Sequence, residues 1–329
     1  MATVIGIGAA LLDVLAHVPE SFVDGIPGQK GGMELINADE MHSLLDTLPE
    51  TTVRAPGGSA ANTVVGVARL GMGSRLLAKV GRDEAGDYYR HHLVETGVDT
   101  ASLKTDDVLA TGTCISLVTP DSERTMRTFL GASASLNPDD ITAVDFSDGR
   151  YVHIEGYLAM NPPLFRYVID TAAACGCTVC LDLASPEVVA TCREGLDYAL
   201  SNAVEVVFAN ADEAAAYAGT DDAETALKQL STHCEVAAVK LGARGALVDL
   251  RGTIHRAAAE KVTAVDTTGA GDLWAAGFLY GLACGMPLDE MCALAAALGA
   301  AAVQQTGATL DEATWIALRD RFDLDTNQA

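Results

Sequence analysis

Asp266-Thr267-Thr268-Gly269-Ala270-Gly271-Asp272, followed at once by the apolar run Leu273-Trp274-Ala275-Ala276-Gly277-Phe278-Leu279, decides the reading of this chain. The small residues Gly269, Ala270 and Gly271 let a ligand come close to the backbone. The apolar run opens a helix, and the unpaired N–H groups and dipole at a helix N-terminus favour negative charge. Asp272 lies among those donors, where its carboxylate is placed to take a proton from an alcohol while the N–H groups hold a phosphoryl group. The plain alternative is a glycine turn capped by an aspartate. The composition of all seven residues, set late in an alternating α/β chain, favours the ligand-binding reading.

Outward from that stretch, the 329 residues suffice for one large α/β domain with a substantial core, expected to span 1–329. Hydrophobic residues make up 49% and charged ones 20%, an ordinary globular balance. The net charge of −24 argues against nucleic acid or an anionic membrane as the main partner. It leaves ATP open, because a few local N–H groups and one or two cations hold phosphates inside an acidic protein. The eight cysteines are irregularly spread and no signal-like stretch precedes the first strand-like run, Thr3 to Ile7, so reduced thiols in a cytoplasmic protein are expected. Cys175, Cys177 and Cys180 lie at a helix-to-strand junction without a second ligand pair, and read as structural. The apolar stretch Met291–Val303 is too short to span a bilayer. A monomer or homodimer is expected.

Short apolar runs alternate with helical ones. Strand candidates are Val4–Gly8, Arg75–Val80, Tyr151–Ile154, Thr178–Leu183, Val204–Phe208 and Val236–Lys240. Asn137-Pro138, Asn161-Pro162 and Ser185-Pro186 each set a capping residue before a first-turn proline, and Gly71 and Gly97 read as helix stops. Such alternation predicts a mostly parallel central sheet flanked by helices on both faces. Residues 11–38 and 108–130 break the rhythm with extended segments, among them Thr111–Val118, which a Pro120-Asp121-Ser122-Glu123 turn joins to Thr125–Leu130. They predict a small second β-sheet, a lid able to close over the ligand crevice.

A second constellation, Gly57-Gly58-Ser59-Ala60-Ala61-Asn62, precedes the helical run Thr63–Leu70. Its glycines allow close backbone approach and Asn62 offers a donor and an acceptor suited to sugar hydroxyls; alone, a plain glycine turn before a helix fits it equally. Together with Asp266–Asp272 it makes the chain resemble the PfkB/ribokinase family of sugar and nucleoside kinases. Three further elements follow that family's order: Gly6-Ile7-Gly8 with Asp13, Asn210-Ala211-Asp212-Glu213, and Lys240-Leu241-Gly242 with Gly245. Gly32–Ile36, Arg124–Ala132 and Ala297–Gly299 with Gly307-Ala308 bring it closest to bacterial adenosine-kinase-like members. Where the family often carries an asparagine after the first glycines, this chain has Ala9 or Ala10.

The resemblance implies a ribokinase-like α/β fold and an ATP-dependent kinase acting on a primary hydroxyl of a nucleoside or sugar. It implies Asp272 as the base, ionised at neutral pH given an ordinary pKa of about 3.9, with Gly269, Ala270 and Gly271 as the anion hole. Asp13, Gly57, Gly58 and Asn62 would hold the acceptor, and Asn210, Lys240, Gly242, Gly245 and Thr268 would bind ATP. Glu213 and Asn210 would steady Mg²⁺ through water, and carbonyls near Asp266, Thr268, Ala302 and Gly307 would bind a monovalent cation such as K⁺. Taken alone, Glu213 also fits a solvated helix position.

His153 and Glu155, before Gly156-Tyr157, suggest acid–base chemistry, but a hydrogen-bonded structural histidine is the better reading. Arg127 fits a lid residue reaching phosphate or acceptor and a solvent-facing strand position equally. A dinucleotide-binding fingerprint fails because Leu11 stands where the third glycine would be, and no P-loop motif occurs. The alternatives that remain are a sugar kinase of ribokinase or fructokinase type and a catalytically silent sugar or nucleoside sensor on the same fold.

Overall fold

The computed structural model describes residues 4–49, 51–121 and 123–324. Thr3 and Ser122, which belong to two of the expected segments, lie outside them. The strands are β1 (Val4–Ile7), β2 (Leu11–His17), β3 (Met33–Leu35), β4 (Val53–Gly57), β5 (Ser74–Gly81), β6 (Val98–Asp99), β7 (Leu103–Asp106), β8 (Gly112–Val118), β9 (Arg124–Phe129), β10 (Tyr151–Glu155), β11 (Thr178–Asp182), β12 (Val204–Asn210), β13 (Val236–Lys240), β14 (Ala246–Leu250) and β15 (Thr253–Ala257).

In the large sheet the strands run β15-β14-β13-β12-β11-β10-β1-β5-β6, with β7 also on β5. Pairing is parallel from β13 to β6, while β14 and β15 add an antiparallel edge. All six strand candidates lie in its parallel part; Val236–Lys240 coincides with its strand and the others differ by one or two residues at an end. The edge hairpin forms because Leu241–Gly245 turns the chain back, with Gly242 and Gly245 in left-handed backbone (φ 58° and 90°).

Residues alternate between the two faces of the sheet. Val4, Leu76, Val206 and Phe208 pack against helices Ser59–Arg69, Ala270–Cys284 and Leu288–Ala302. Ile5, Ile7, Val152 and Val207 face helices Pro162–Ala174, Arg193–Asn202, Ala211–Ala218 and Ala223–Leu230. Both faces are therefore covered, which is why the parallel strands read as nearly continuous apolar runs. Asn161 caps the first of the second group of helices and Ser185 caps Pro186–Thr191. The Asn137-Pro138 signal is weaker in effect: its capping box closes on a single 3₁₀ turn, Pro138–Asp140, and no helix follows. Met291–Val303 falls in the helix Leu288–Ala302 and its C-cap. Among the described residues no helix is long and apolar enough to cross a membrane.

The second sheet runs β3-β9-β8-β2-β4. Residues 11–38 and 108–130 supply four of its strands as expected, and β4, adjoining the Gly57–Asn62 element, supplies a fifth that the alternation pattern did not reveal. One side of this sheet has its own core of Val14, Ala16, Ile115, Leu117 and Met41; the other overlooks the C-terminal ends of the large sheet's strands.

Close helix contact sets how those ends are furnished. A Cβ on Gly277 would lie 2.9 Å from Ala295 Cα, so the helices Ala270–Cys284 and Leu288–Ala302 meet backbone to backbone. Gly277→Val is expected to lower stability by about 1–3 kcal/mol through overpacking, read as a fall in the denaturant midpoint; an unchanged midpoint would mean that the two helices separate freely.

Candidate active site

Four neighbouring parallel strands end in polar residues: β10 in Glu155, β11 in Asp182, β12 in Asn210 and β13 in Lys240. They border the crevice where open α/β sheets bind ligands, beside the point at which strand order reverses, between β1 and β10. The N-terminus of helix Ala270–Cys284 comes down on this edge, with Gly269 as N-cap in left-handed backbone (φ 71°) and Asp272 in the first turn.

Asp272 is held from the helix Ser59–Arg69. Ser59 Oγ donates to its Oδ1 at 2.7 Å and Asn62 Nδ2 to its Oδ2 at 2.8 Å, while Thr63 Oγ1 donates to its backbone oxygen at 3.2 Å. Burial pushes the Asp272 carboxyl up to about 6, the Asn62 and Ser59 hydrogen bonds opposing it. The carboxyl expected at its ordinary value thus titrates close to neutrality, as suits a base working near pH 7.

The two glycine elements fit around this carboxylate. A Cβ on Gly57 would collide with the Asp13 carboxylate, one on Gly58 (φ 104°) with Ala9 O, and one on Gly269 with Ala308. Asp13 on β2, Gly57, Gly58, Asn62, Gly269 and Asp272, scattered through the sequence, therefore share one site. Burial pushes Asp13 up to about 7. Glu155 accepts from Ala9 N at 2.7 Å and Ala60 N at 3.2 Å, and burial raises it to about 7 as well. Ala10 N takes Ser133 Oγ, 3.1 Å away, as its acceptor.

Asp266 organises the loop before the helix, accepting from Thr268 N (3.0 Å), Thr268 Oγ1 (2.6 Å) and Gly307 N (2.8 Å). Asp266, Thr268 and Gly307 thus lie together; Ala302 is the last residue of its helix, and its carbonyl accepts from Gln305 N at 3.2 Å. Arg124 on β9 donates to Thr268 Oγ1 and stands 3.7 Å from Asp266, joining the small sheet to this loop.

Asn210 and Glu213 form a capping box, Asn210 N donating to Glu213 Oε2 at 2.7 Å and Glu213 N to Asn210 Oδ1 at 2.8 Å. Glu213 is buried rather than solvated, and burial raises its carboxyl above the usual range. Its carboxylate is occupied by Asn210, and among the described residues no three His, Cys, Asp or Glu side chains gather to grip a metal ion directly. The donor set fits a hydrated Mg²⁺ and not a bare one. Lys240 donates to Asp182 Oδ2 at 2.8 Å, and Gly242 and Gly245 lie in the turn beyond it.

Two sequence readings change. Arg127 reaches neither ligand nor solvent: it is 3% exposed and donates to Pro27 O and Met126 O. Arg124 is the small-sheet arginine that meets the loop. It shares a strand face with Met126 and Thr128, both of which line the cleft, and two-residue periodicity was the signal for it. His153 is buried, but neither ring nitrogen has a hydrogen-bond partner among the described residues, and burial pushes it down to about 4. Ser59 lies inside the Gly57–Asn62 element and Glu155 stands beside His153 in a pair that suggests acid–base chemistry, yet the sequence reading assigns neither to the site; Asp182 carries no motif, and its place at a strand end is its only sequence signal. Cys177 and Cys180 are buried and Cys175 is exposed.

A carboxylate beside glycine N–H groups at a helix start, above the strand ends of a doubly covered α/β sheet, suits phosphoryl transfer to a hydroxyl group. Comparison with known proteins agrees. A family model described as pfkB family carbohydrate kinase matches residues 33–315, and the chain belongs to that family, with a ribokinase-like fold. It is 31% identical to a fructokinase of Klebsiella pneumoniae over 86% of this chain and 95% of that one. It is 30% identical to an aminoimidazole riboside kinase of Salmonella typhimurium, over 80% and 88%. A crystal structure of adenosine kinase from Sinorhizobium meliloti superposes with a TM-score of 0.89 at 34% identity, covering 97% of this chain and 99% of that one.

Removing the Asn62 donor gives a pH-dependent cost. Because Asp272 titrates higher folded than unfolded, its ionised form is the destabilising one above about pH 6. Asn62→Ala should cost about 1–3 kcal/mol at pH 8, where a buried carboxylate loses a donor, and less at pH 5, where the carboxyl is mostly neutral. Chemical denaturation at both pH values checks this; an equal loss at both would contradict it.

Proposed function

We propose that the protein transfers the γ-phosphoryl group of ATP to the primary hydroxyl of a nucleoside of the adenosine kind. One observation carries the choice of acceptor: a cavity of about 560 Å³ between the small sheet and the strand ends of the large one. Gly58, Ser59 and Glu155 line its polar end, beside Asp272, while Met33, Leu35, Met126, Leu158 and Met160 contribute to an extensive apolar wall. A free hexose offers hydroxyls on every side and gains little from such a wall. A nucleoside presents a polar ribose at one end and a flat apolar base at the other, which matches the wall's division. The likeness to a riboside kinase and an adenosine kinase supports the same choice.

In this reading Asp13, Gly58 and Asn62 orient the ribose and set its primary hydroxyl against Asp272. Asp272 takes the hydroxyl proton as the oxygen attacks the γ-phosphorus and the bond from that phosphorus to the bridging oxygen breaks, ADP leaving, while the N–H groups of Gly269, Ala270 and Gly271 receive charge gathering on the phosphoryl oxygens. Lys240, Gly242, Gly245, Asn210 and Thr268 attend the ATP side. Mg²⁺, held through water by Asn210 and Glu213, would neutralise phosphate charge when bound with the nucleotide; a solved relative described as a putative ribokinase II was crystallised with ATP and Mg²⁺. A K⁺ ion near the carbonyls of Asp266, Thr268, Ala302 and Gly307 would brace the loop before the anion hole. The small sheet would act as the lid that excludes water, its Arg124 meeting the loop at Thr268.

The fructokinase likeness favours a second reading, a sugar kinase using the same base. Turnover of adenosine, inosine, guanosine, ribose, fructose and fructose 6-phosphate with MgATP separates the two. We expect the highest kcat/KM with a nucleoside; a tenfold preference for fructose or ribose would replace the nucleoside reading, and no turnover of any acceptor would favour a silent sensor.

Asp272→Asn should keep the fold and ATP affinity but lower kcat by about 10²–10⁴-fold. The wild-type rate should fall as pH drops through about 6, where Asp272 takes up its proton. Turnover of the variant within a few-fold of wild type would remove Asp272 as the base.

A further inference from the structure

The Lys240–Asp182 pair is peculiar in three respects. Lys240 ends β13 and Asp182 ends β11, so the lysine stem crosses the end of the intervening β12 to reach its partner. Its ammonium arrives at the wrong place for a cation: a Cβ on Gly271 would lie only 3.2 Å from Lys240 Nζ, so the charge sits against the first turn of helix Ala270–Cys284, whose dipole repels it. Side-chain exposure is 14% for Lys240 and 8% for Asp182, so water contributes little to holding it there.

The Asp182 end is rigid. Its Oδ2 accepts from Lys240 Nζ at 2.8 Å and its Oδ1 from Ala184 N at 3.0 Å. Ala184 makes that second bond from left-handed backbone (φ 69°), unfavourable for a residue with a Cβ. A strained turn and an ion pair spanning a strand thus fix one ammonium beneath the anion hole.

We propose that Lys240, pinned by Asp182, is a positioning residue of the phosphoryl-transfer site, whose charge keeps the neighbouring Asp272 carboxylate ionised and offsets the like-charged carboxylates packed around it. The inference rests on Asp272 being the base. The groups facing Asp272 are Ser59, Asn62 and Thr63 from one helix, Asp13 on β2, Glu155 on β10, Asp182 on β11, Lys240 on β13 and Glu213 on helix Ala211–Ala218. His153, behind the pair, stays neutral. Lys240 is the cation of this group. It acts to lower the Asp272 pKa and Asp182 acts to raise it, so the two halves of one ion pair must have opposite effects on the base.

The test is the titration of Asp272 in protein labelled at aspartate carboxyl carbons, its NMR signal identified by its absence in Asp272→Asn. This needs no acceptor. Lys240→Met should raise the Asp272 pKa by about one unit and Asp182→Asn should lower it by a similar amount. Lys240→Arg, which keeps the charge, should leave it near the wild-type value. The acid limb of kcat/KM for the best acceptor should move with it, so that Lys240→Met loses about fivefold more activity at pH 6 than at pH 8. Should Lys240→Met fail to fold, the near-isosteric Asp182→Asn still carries the sign. Shifts in the same direction, or no shift in either variant, would overturn the proposal. An inactive Asp272→Asn beside an unmoved titration would leave the base assignment standing and remove only the role of Lys240. An active Asp272→Asn would remove the base assignment instead.

Discussion

Two hydrogen bonds on the Asp272 carboxylate, from Ser59 Oγ and Asn62 Nδ2, join parts of the chain 213 and 210 residues apart. An ionised carboxylate withdrawn from water needs such donors, because burial penalises its charge. Both donors lie in the first turn of the helix Ser59–Arg69, so the two helices must meet at a fixed angle and depth. Gly66 makes that contact close: a Cβ there would stand 2.7 Å from Ala276 Cβ and 2.9 Å from Leu273 Cδ2. Core packing and the setting of the Asp272 carboxylate are in this sense one constraint, and a change that lifts one helix withdraws donors from it.

The chemistry of the site follows from crowding negative charge. Asp13, Glu155, Glu213 and Asp272 are all raised above the carboxylate range, chiefly by burial. Each is partly relieved by a different local device: the Arg124 charge on Asp13, backbone N–H groups on Glu155, a capping box on Glu213, two side-chain donors on Asp272. Asp182 behaves oppositely: burial is the largest single influence and raises it, but the charge and hydrogen bond of Lys240, with the smaller help of His153 and the Ala184 N–H, together leave it lowered. A site so poor in resident cations gains most from a ligand that brings its own counter-ion, as a metal-bound nucleotide does.

The small sheet converts this edge into an enclosed cleft. Its outer face has a core of its own, which lets it hold together as a unit, while Arg124 reaches from it to Thr268. Thr268 is bound in turn to Asp266, and Asp266 to Gly307. A continuous run of hydrogen bonds thus ties the small sheet to the loop that leads into Gly269, the N-cap of the helix carrying Asp272.

The sequence by itself determined the elements and the identity of the main chemical groups. Apolar periodicity marked the parallel strands to within a residue or two, proline and asparagine marked helix starts, and the glycine elements marked where backbone must approach other atoms. These are local properties, set by the steric and capping preferences of a few neighbouring residues. Only the tertiary structure decided which groups meet and with what charge. Asp182 and Lys240 are 58 residues apart and pair because two strand ends lie on either side of a third. Arg127, rather than pointing outward, is consumed by Pro27 O, and Arg124 takes the position at the loop. The Asp272 carboxyl leaves its ordinary range because the elements packed around it exclude water from it. Desolvation and Coulomb interaction depend on distance in space, and no spacing along the chain encodes them.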